Sequence, residues 1–161
     1  MRKICLIGFG ALLAGGILLA VPTAAFASTS GTEHFTLVST NGTSNNTTST
    51  IIATGVFAAG GVDYGGNNVD LAVFPHGAFS INHTGVQVSF SVNPKTCVAR
   101  GSGTGPYTLT HGYGAFAGIH GSGTATVNIL ATFGRKANGN CNGRNLTAFE
   151  QIIHASGPVT L

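Results

Sequence analysis

The sequence predicts an all-β fold in which about eight short strands form an antiparallel sandwich or a closed barrel. Hydrophobic and polar residues alternate with a period of two in several segments, whereas a helical period of 3.6 does not persist anywhere after residue 27. Glycine, asparagine and proline cluster between those segments, as is typical of turns. Helices are therefore expected to be minor or absent.

Charge is the second observation that narrows the class of protein. Only 7% of the 161 residues are charged, against about 25% in an average globular domain. Seven Lys and Arg residues spread along the chain cannot neutralise a row of phosphates, so a nucleic-acid interface built from a basic patch is excluded. A coiled coil is excluded because it needs abundant charged residues at helical spacing.

The first 27 residues have the layout of a secretory signal peptide. Two positive charges precede an uncharged, mostly apolar run at residues 4–21, and Ala25-Phe26-Ala27 supplies the small residues of a cleavage site. An uncleaved membrane anchor is the alternative, because about 18 apolar residues lie near the lower limit for spanning a bilayer. Glycines within the run and Pro22 after it favour cleavage. We therefore expect a signal peptide at residues 1–27 and one secreted β domain at residues 28–161.

Cleavage would leave a nearly neutral domain. Five basic residues would remain beside four acidic ones, which gives a net charge of +1 instead of the +3 of the whole chain. No other apolar run approaches membrane-spanning length, so no membrane contact is expected after cleavage. The remaining charged residues are Lys95, Arg100, Arg135, Lys136, Arg144, Glu33, Asp63, Asp70 and Glu150.

Cys97 and Cys141 are the two cysteines that would remain after cleavage. In an exported chain two cysteines pair most simply with each other. A redox or metal-binding thiol pair is the alternative, but the usual Cys-x-x-Cys spacing is absent from the sequence. We therefore predict a structural disulfide between Cys97 and Cys141.

The individual strands can be placed from the alternation of apolar and polar residues. Residues 86–92 give the clearest half-buried strand, because every second residue is Val or Phe. The other predicted strands are residues 34–38, 51–57, 69–74, 78–82, 107–110, 126–133 and 148–154. Predicted turns lie at residues 60–61, 65–68, 75–77, 93–94, 101–103 and 138–140. The uncharged polar segment 39–50 is predicted to be a long exposed loop or the tip of a hairpin.

A glycine-rich segment at residues 107–124 has the pattern of a strand, a turn and the start of the next strand. Glycine permits positive φ and close backbone approach, and Phe116 between small residues is suited to plug one end of a barrel. A dinucleotide-binding loop is excluded, because no helical pattern follows and no acidic residue occurs in the next stretch of about thirty positions. The residues of this turn are Gly112, Gly114, Phe116, Gly118 and Gly121.

These five residues form the pattern Gly-x-Gly-x-Phe-x-Gly-x-x-Gly, which resembles a segment of the allene oxide cyclase and dirigent-like β-barrel superfamily. The chain looks most similar to small secreted bacterial members of that group, with further similarity at residues 74–77, 93–97 and 151–159. The resemblance implies a single antiparallel β-barrel of about eight strands with minor or no helix.

Three classes of function are compatible with such a barrel. The first is a non-enzymatic secreted protein that binds a small apolar ligand in its lumen. The resemblance implies the second, an isomerase or cyclase of the allene oxide cyclase or dirigent type. The third is an oligomeric cell-surface or matrix protein, because low charge favours association. No cofactor is expected in any of the three. An apolar lumen favours binding, and a buried acid or histidine beside a cavity favours catalysis.

Few residues are candidates for chemistry, and the catalytic residues stay unassigned. Glu33, Glu150, His111 and His120 are the polar candidates, but they lie in no motif that names a reaction. No Gly-x-Ser-x-Gly elbow is present, so the sequence offers no nucleophilic serine. Paired carboxylates would have to include Asp63 or Asp70, which flank a Gly-Gly-Asn-Asn turn; both are expected to be polar turn residues, with weak cation binding as the alternative.

The histidines outnumber the carboxylates, which suggests a metal site at first sight. Zinc ligands normally include a closely spaced pair, however, and no such pair occurs in the chain. We therefore predict no metal and scattered surface histidines, with a site made by two or three of them as the alternative. The histidines are His34, His76, His83, His111, His120 and His154.

Overall fold

The computed structural model describes residues 29–42 and 47–161, so the predicted signal peptide and its cleavage site lie outside the described residues. Nine strands and no helix are found in this part of the chain. Correspondingly, none of the described residues belongs to a helix that could cross a membrane. The strands are β1 (Ser30–Ser39), β2 (Thr48–Thr54), β3 (Ala59–Tyr64), β4 (Val69–Phe74), β5 (Gly77–Asn82), β6 (Gln87–Asn93), β7 (Val98–Gly114), β8 (His120–Arg135) and β9 (Cys141–Thr160).

Eight of these strands form a closed antiparallel barrel. Their order is β5-β4-β3-β2-β1-β9-β8-β7, and pairing between β5 and the second half of β7 closes the sheet. The prediction of an antiparallel barrel of about eight strands is therefore confirmed, and the sandwich alternative is wrong. Closure matters for the site because it encloses a lumen with two ends.

Two predicted turns are wrong, because glycines there lie inside strands. Residues 60–61 belong to β3, a strand that the sequence pattern missed, and residues 101–103 belong to β7. A Cβ at Gly61 would collide with the carbonyl oxygen of Val73, and one at Gly103 would collide with that of Gln87. Glycine at these positions therefore permits close approach of a neighbouring strand rather than a change of direction.

Three strands, β7, β8 and β9, continue past the barrel, and β6 joins them to form a sheet extension; it is made of residues 87–93, 98–104, 126–135 and 141–150. β6 lies at its edge and pairs with the first half of β7. The prediction that residues 86–92 form a half-buried strand is wrong for burial, since Phe90 is 62% exposed. β6 lies wholly in the sheet extension, where no second layer among the described residues covers its apolar side chains.

The predicted disulfide between Cys97 and Cys141 is confirmed. It joins the start of β7 to the start of β9, with the two Cα atoms 5.3 Å apart. Both strands pair with β8, so the disulfide fastens the two neighbours of one strand at the far end of the sheet extension. A structural disulfide is consistent with an extracellular protein.

An aromatic cluster fills one end of the barrel, where β4 ends and β5 begins. Phe57, Phe74, Phe79 and Phe116 lie with their ring centroids 4.9–6.3 Å apart, mostly in tilted or edge-to-face pairs. Phe79 is fully buried and Phe116, from the turn between β7 and β8, is 5% exposed. This cluster closes the lumen at that end, which leaves the opposite end as the place for a site.

Candidate functional site

A cavity of about 280 Å³ lies at the end of the barrel opposite the aromatic cluster. Its wall is mainly apolar, because inward-facing residues of several strands and of the sheet extension meet there; they include Leu37, Ile81, Val88, Val127 and Ile153. Its polar lining residues include Thr47, Ser49, Asn67, Asn68, Thr84 and Gln151, together with two buried groups that have no partner in the protein and one ion pair. These four side chains, Asp63, Asp70, His83 and Tyr107, define the candidate site.

Asp63 is a buried acid near the end of β3, with 2% of its surface exposed. Its register partners are Ser49 and Ala72, which are also buried, so this row of residues faces the lumen. The pKa of Asp63 is raised to about 7, chiefly by burial and secondly by the neighbouring Asp70, while His83 opposes the rise. At neutral pH the neutral acid is therefore well populated, and it can both donate and accept a hydrogen bond.

Asp70 and His83 form an ion pair at the rim of the cavity. The Nε2 atom of His83 lies 2.9 Å from Oδ1 of Asp70, and the same oxygen accepts the backbone N–H of Gly66 at 2.8 Å. The hydrogen bond to Asp70 raises the pKa of His83, although partial burial opposes that rise. The raised pKa favours the protonated, positively charged form of His83 beside Asp70.

Tyr107 places a phenol in the middle of the cavity wall. The residue is 2% exposed, and its ring packs edge-to-face on Phe35 with centroids 6.2 Å apart. The pKa of Tyr107 is raised to about 12, chiefly by burial and secondly by the charge of Glu33. The phenol therefore stays neutral over the physiological range and keeps its proton to donate.

Asp63 and Tyr107 share a property that few buried groups have. Among the side chains that the structure describes, the Oδ1 atom of Asp63 and the hydroxyl of Tyr107 are the two buried polar atoms without a hydrogen-bond partner in the protein. Native structures pair the large majority of such atoms. Both residues also line the cavity. The two unpaired atoms therefore belong to side chains of the cavity wall.

The four polar candidates from the sequence lie elsewhere and do not form a common site. Glu33 is fully buried towards the closed end, where Oε2 accepts the backbone N–H of Phe57 at 3.0 Å. Glu150 is exposed on the sheet extension. His111 and His120 are exposed beside the aromatic cluster, where His111 bonds the hydroxyl of Thr110 and His120 the carbonyl of Gly118.

The glycine turn also lies at the closed end rather than at the cavity. Gly114 and Gly118 have φ values of +66° and +87°, which shape the turn that carries Phe116 into the aromatic cluster. A Cβ at Gly112 would collide with the carbonyl oxygen of Phe116. Gly121 begins the return along β8, where a Cβ would lie 2.6 Å from the carbonyl oxygen of Pro158. The segment therefore builds the wall and plug of the barrel.

The sequence pattern misses the site residues for two different reasons. Asp63 has the sequence signature of a turn residue, because the glycines around it make β3 look like a turn. Its neighbours Val62 and Tyr64 are exposed, so in β3 the polar residue faces inward and the apolar residues face outward. Tyr107 lies in the predicted strand 107–110, so its alternation with the buried Leu109 is a usable signal for an inward position. His83 follows β5 directly, and nothing in its sequence context distinguishes it from the other histidines.

No metal centre is found in the described ranges, since no three His, Cys, Asp or Glu side chains there are arranged to hold an ion. Comparisons with protein families, with curated proteins and with solved structures found no match. The resemblance to the allene oxide cyclase and dirigent-like superfamily therefore stays a prediction, and the function has to be inferred from the site itself.

Proposed function

We propose that this protein binds, in the cavity of its barrel, a small and mainly apolar molecule that carries one neutral hydrogen-bonding group such as a hydroxyl or a carbonyl. The observation that supports this proposal is the pair of unpaired buried atoms, Asp63 Oδ1 and the Tyr107 hydroxyl, in a mainly apolar wall. An unpaired buried polar group costs about 1–3 kcal/mol. A ligand that offers a partner to either group recovers part of that cost.

The size and electrostatics of the cavity narrow the class of ligand. A volume of about 280 Å³ lies at the lower end of the range for small-molecule pockets, roughly 300–1,000 Å³. The neutral form of Asp63 is well populated at pH 7, and Asp70 has His83 as its ion-pair partner at 2.9 Å. A neutral ligand therefore avoids the cost of placing an uncompensated charge in an apolar cavity. Together with the predicted signal peptide, this favours a carrier or scavenger that works outside the cell.

Filling the cavity tests the proposal. The neutral fluorophore N-phenyl-1-naphthylamine should bind the purified protein with a saturable rise in fluorescence. Ala155→Phe adds a ring on a half-buried residue that lines the cavity, and it should weaken this binding by at least about tenfold, because the lost apolar contact is worth more than about 1.4 kcal/mol.

Ala148→Phe is the matched control, since it makes the same change at an exposed position of the same strand. Equal affinity in the wild type and in Ala155→Phe would show that the probe binds outside the cavity and would contradict the proposal. Native mass spectrometry of protein purified from its natural source should in addition show a retained small molecule that Ala155→Phe lacks.

Proton-transfer catalysis, as in an isomerase or cyclase, is a second candidate function. The specific observation that favours it is Asp63, a buried acid beside the cavity with a pKa of about 7, since general acid–base catalysis is most effective when the pKa lies near the working pH. Incubation of the retained molecule with the protein in deuterated water should then introduce deuterium at carbon. Asp63→Asn should abolish that exchange. Deuterium uptake at the same rate without protein would reject catalysis but leave the binding proposal intact.

A further inference from the structure

The free edge of β6 has a sequence that is nearly the same in both directions. Residues 87–93 read Gln-Val-Ser-Phe-Ser-Val-Asn, which is symmetric about Phe90 apart from the exchange of one amide residue for another at the ends. Among the described strands, β6 pairs only with β7, so its other edge presents unpaired backbone groups. An antiparallel copy of a symmetric strand places identical side chains opposite one another.

β6 also lacks the features that normally prevent edge pairing. Natural edge strands are protected by charged residues, proline, bulges or a covering element. β6 contains no charged residue and no proline, its pairing with β7 has no register shift, and six of its seven residues are exposed. The ring of Phe90 lies against Gly101 of β7, where a Cβ would be 2.6 Å away, and so it leans away from the free edge.

The opposite border of the sheet extension shows the contrast. The first half of β9 carries the charged residues Arg144 and Glu150. Its pairing with β8 is interrupted by register shifts near Phe133. One border of the sheet extension therefore has two of the usual protective features, while β6 has neither of them.

We propose that β6 is a homodimer interface, at which two copies of the chain pair edge to edge about a two-fold axis through Phe90. In this arrangement Phe90 lies opposite Phe90 of the second copy, and each Ser89 lies opposite Ser91. Val88 lies opposite Val92, so each face of the joined sheet has matching side chains across the axis. The interface is isologous and closes at two subunits, and it unites the two sheet extensions into one eight-stranded sheet.

A second copy fits this edge better than an unrelated strand for two reasons. The symmetry of β6 about Phe90 gives no advantage when β6 pairs with a different sequence. When β6 pairs with an antiparallel copy of itself, the symmetry places matching side chains opposite each other along the whole strand. The absence of charge on β6 removes the like-charge repulsion that self-pairing would otherwise create. This inference does not depend on the proposed ligand.

Two double variants test the register directly. The double variant Ser89→Glu, Ser91→Glu places two negative charges opposite each other at both Ser89–Ser91 pairs of the dimer. The dissociation constant of the dimer should therefore rise by at least about tenfold. Ser89→Lys with Ser91→Glu places opposite charges there and should keep or strengthen the dimer. Both variants carry the same Ser91→Glu change beside Arg100 of the same chain, so position 89 is their only difference. The mass of wild type and variants is measured by sedimentation over a wide range of protein concentrations.

A cross-link gives an independent measurement. Residues opposite each other in antiparallel strands have Cα atoms about 4.5–5.5 Å apart, which is within the range for a disulfide. Phe90→Cys should therefore form a covalent dimer on oxidation, while Tyr64→Cys, an exposed aromatic on the barrel wall, should not. A monomeric wild type, equal dissociation of the two double variants, or equal cross-linking at residues 64 and 90 would each overturn the proposal.

Discussion

At the scale of single residues, Asp63 makes the stability of the fold depend on pH. A carboxyl group with 2% exposure and a pKa of about 7 holds its proton far above its ordinary value of 3.8. The unfolded chain releases that proton at lower pH, so the folded state loses stability as the pH rises between the two values. A core alanine or valine would avoid this loss, and the acid is therefore best explained by the cavity that it lines.

Asp63→Asn should flatten the pH dependence of stability. In the wild type, the Asp63 contribution is greatest below about pH 4 and falls by at most about 4 kcal/mol as the pH rises to 7. His83 acts in the same direction, because its raised pKa gives stability below 6.5 that is lost as the pH passes its folded value. Urea unfolding across this pH range measures both slopes. The substituted asparagine does not ionise, so parallel slopes for the variant and wild type would contradict this assignment.

Tyr107→Phe should separate stability from binding. The variant removes a buried hydroxyl that has no partner in the protein, so the free energy of unfolding of the empty protein should stay the same or rise by about 1 kcal/mol. Binding of 1-naphthol should weaken by about fivefold, while binding of naphthalene, which has no polar group, should not change. Calorimetric titration with both compounds makes the comparison, and an equal loss for both would mean that the phenol contacts no ligand group.

Two glycines in the same turn should respond differently to a methyl group. At Gly118 a Cβ meets nothing within 4 Å, so Gly118→Ala carries only the cost of a φ of +87°, about 1–2 kcal/mol. At Gly114 a Cβ also collides with the carbonyl oxygen of His76, and Gly114→Ala should cost at least about 3 kcal/mol. Denaturant unfolding of the two variants tests the order, and a more stable Gly114→Ala would disprove the close approach of these strands.

At the scale of the elements, the disulfide is a covalent constraint on the sheet extension. It closes a loop with a sequence separation of 44 residues, for which the chain-entropy estimate is about 4 kcal/mol and typical measured losses are about 2–4 kcal/mol. The double variant Cys97→Ala, Cys141→Ala should lower the free energy of unfolding by about 2–4 kcal/mol. Urea unfolding of oxidised protein measures this loss, and a change below about 1 kcal/mol would show that the packing of β8 already holds the two strands.

Strands could be predicted where the alternation of apolar and polar residues was the only signal. They could not be predicted where a glycine could either turn the chain or admit a neighbouring strand. β4 has the bounds that the pattern predicts, residues 69–74. β3 was missed and β7 was predicted too short, because a glycine that admits a neighbouring strand has the same sequence signature as one that turns the chain. The exposure of β6 depends on which strands continue beyond the barrel, and a local pattern does not contain that information.

At the scale of the whole molecule, the class of fold followed from composition and period, but the site did not. The barrel closes because β5 pairs with β7, and β6 stays outside it. This long-range pairing brings Asp63, His83 and Tyr107 to one cavity. These residues come from three different strands or strand ends and share no motif. The sequence therefore predicted that any chemistry had to involve the few ionisable groups, and the topology selected which of them face the lumen.

The aromatic cluster at the closed end determines by which end of the barrel a small molecule could reach the lumen. Because the side chains of Phe57, Phe74, Phe79 and Phe116 fill that end, the lumen is closed there and does not form a channel through the barrel. A ligand of the proposed kind would therefore have to leave by the end of the barrel at which it entered. Binding of a second molecule would have to wait for release of the first, and both would pass Asp70 and His83 at the open end.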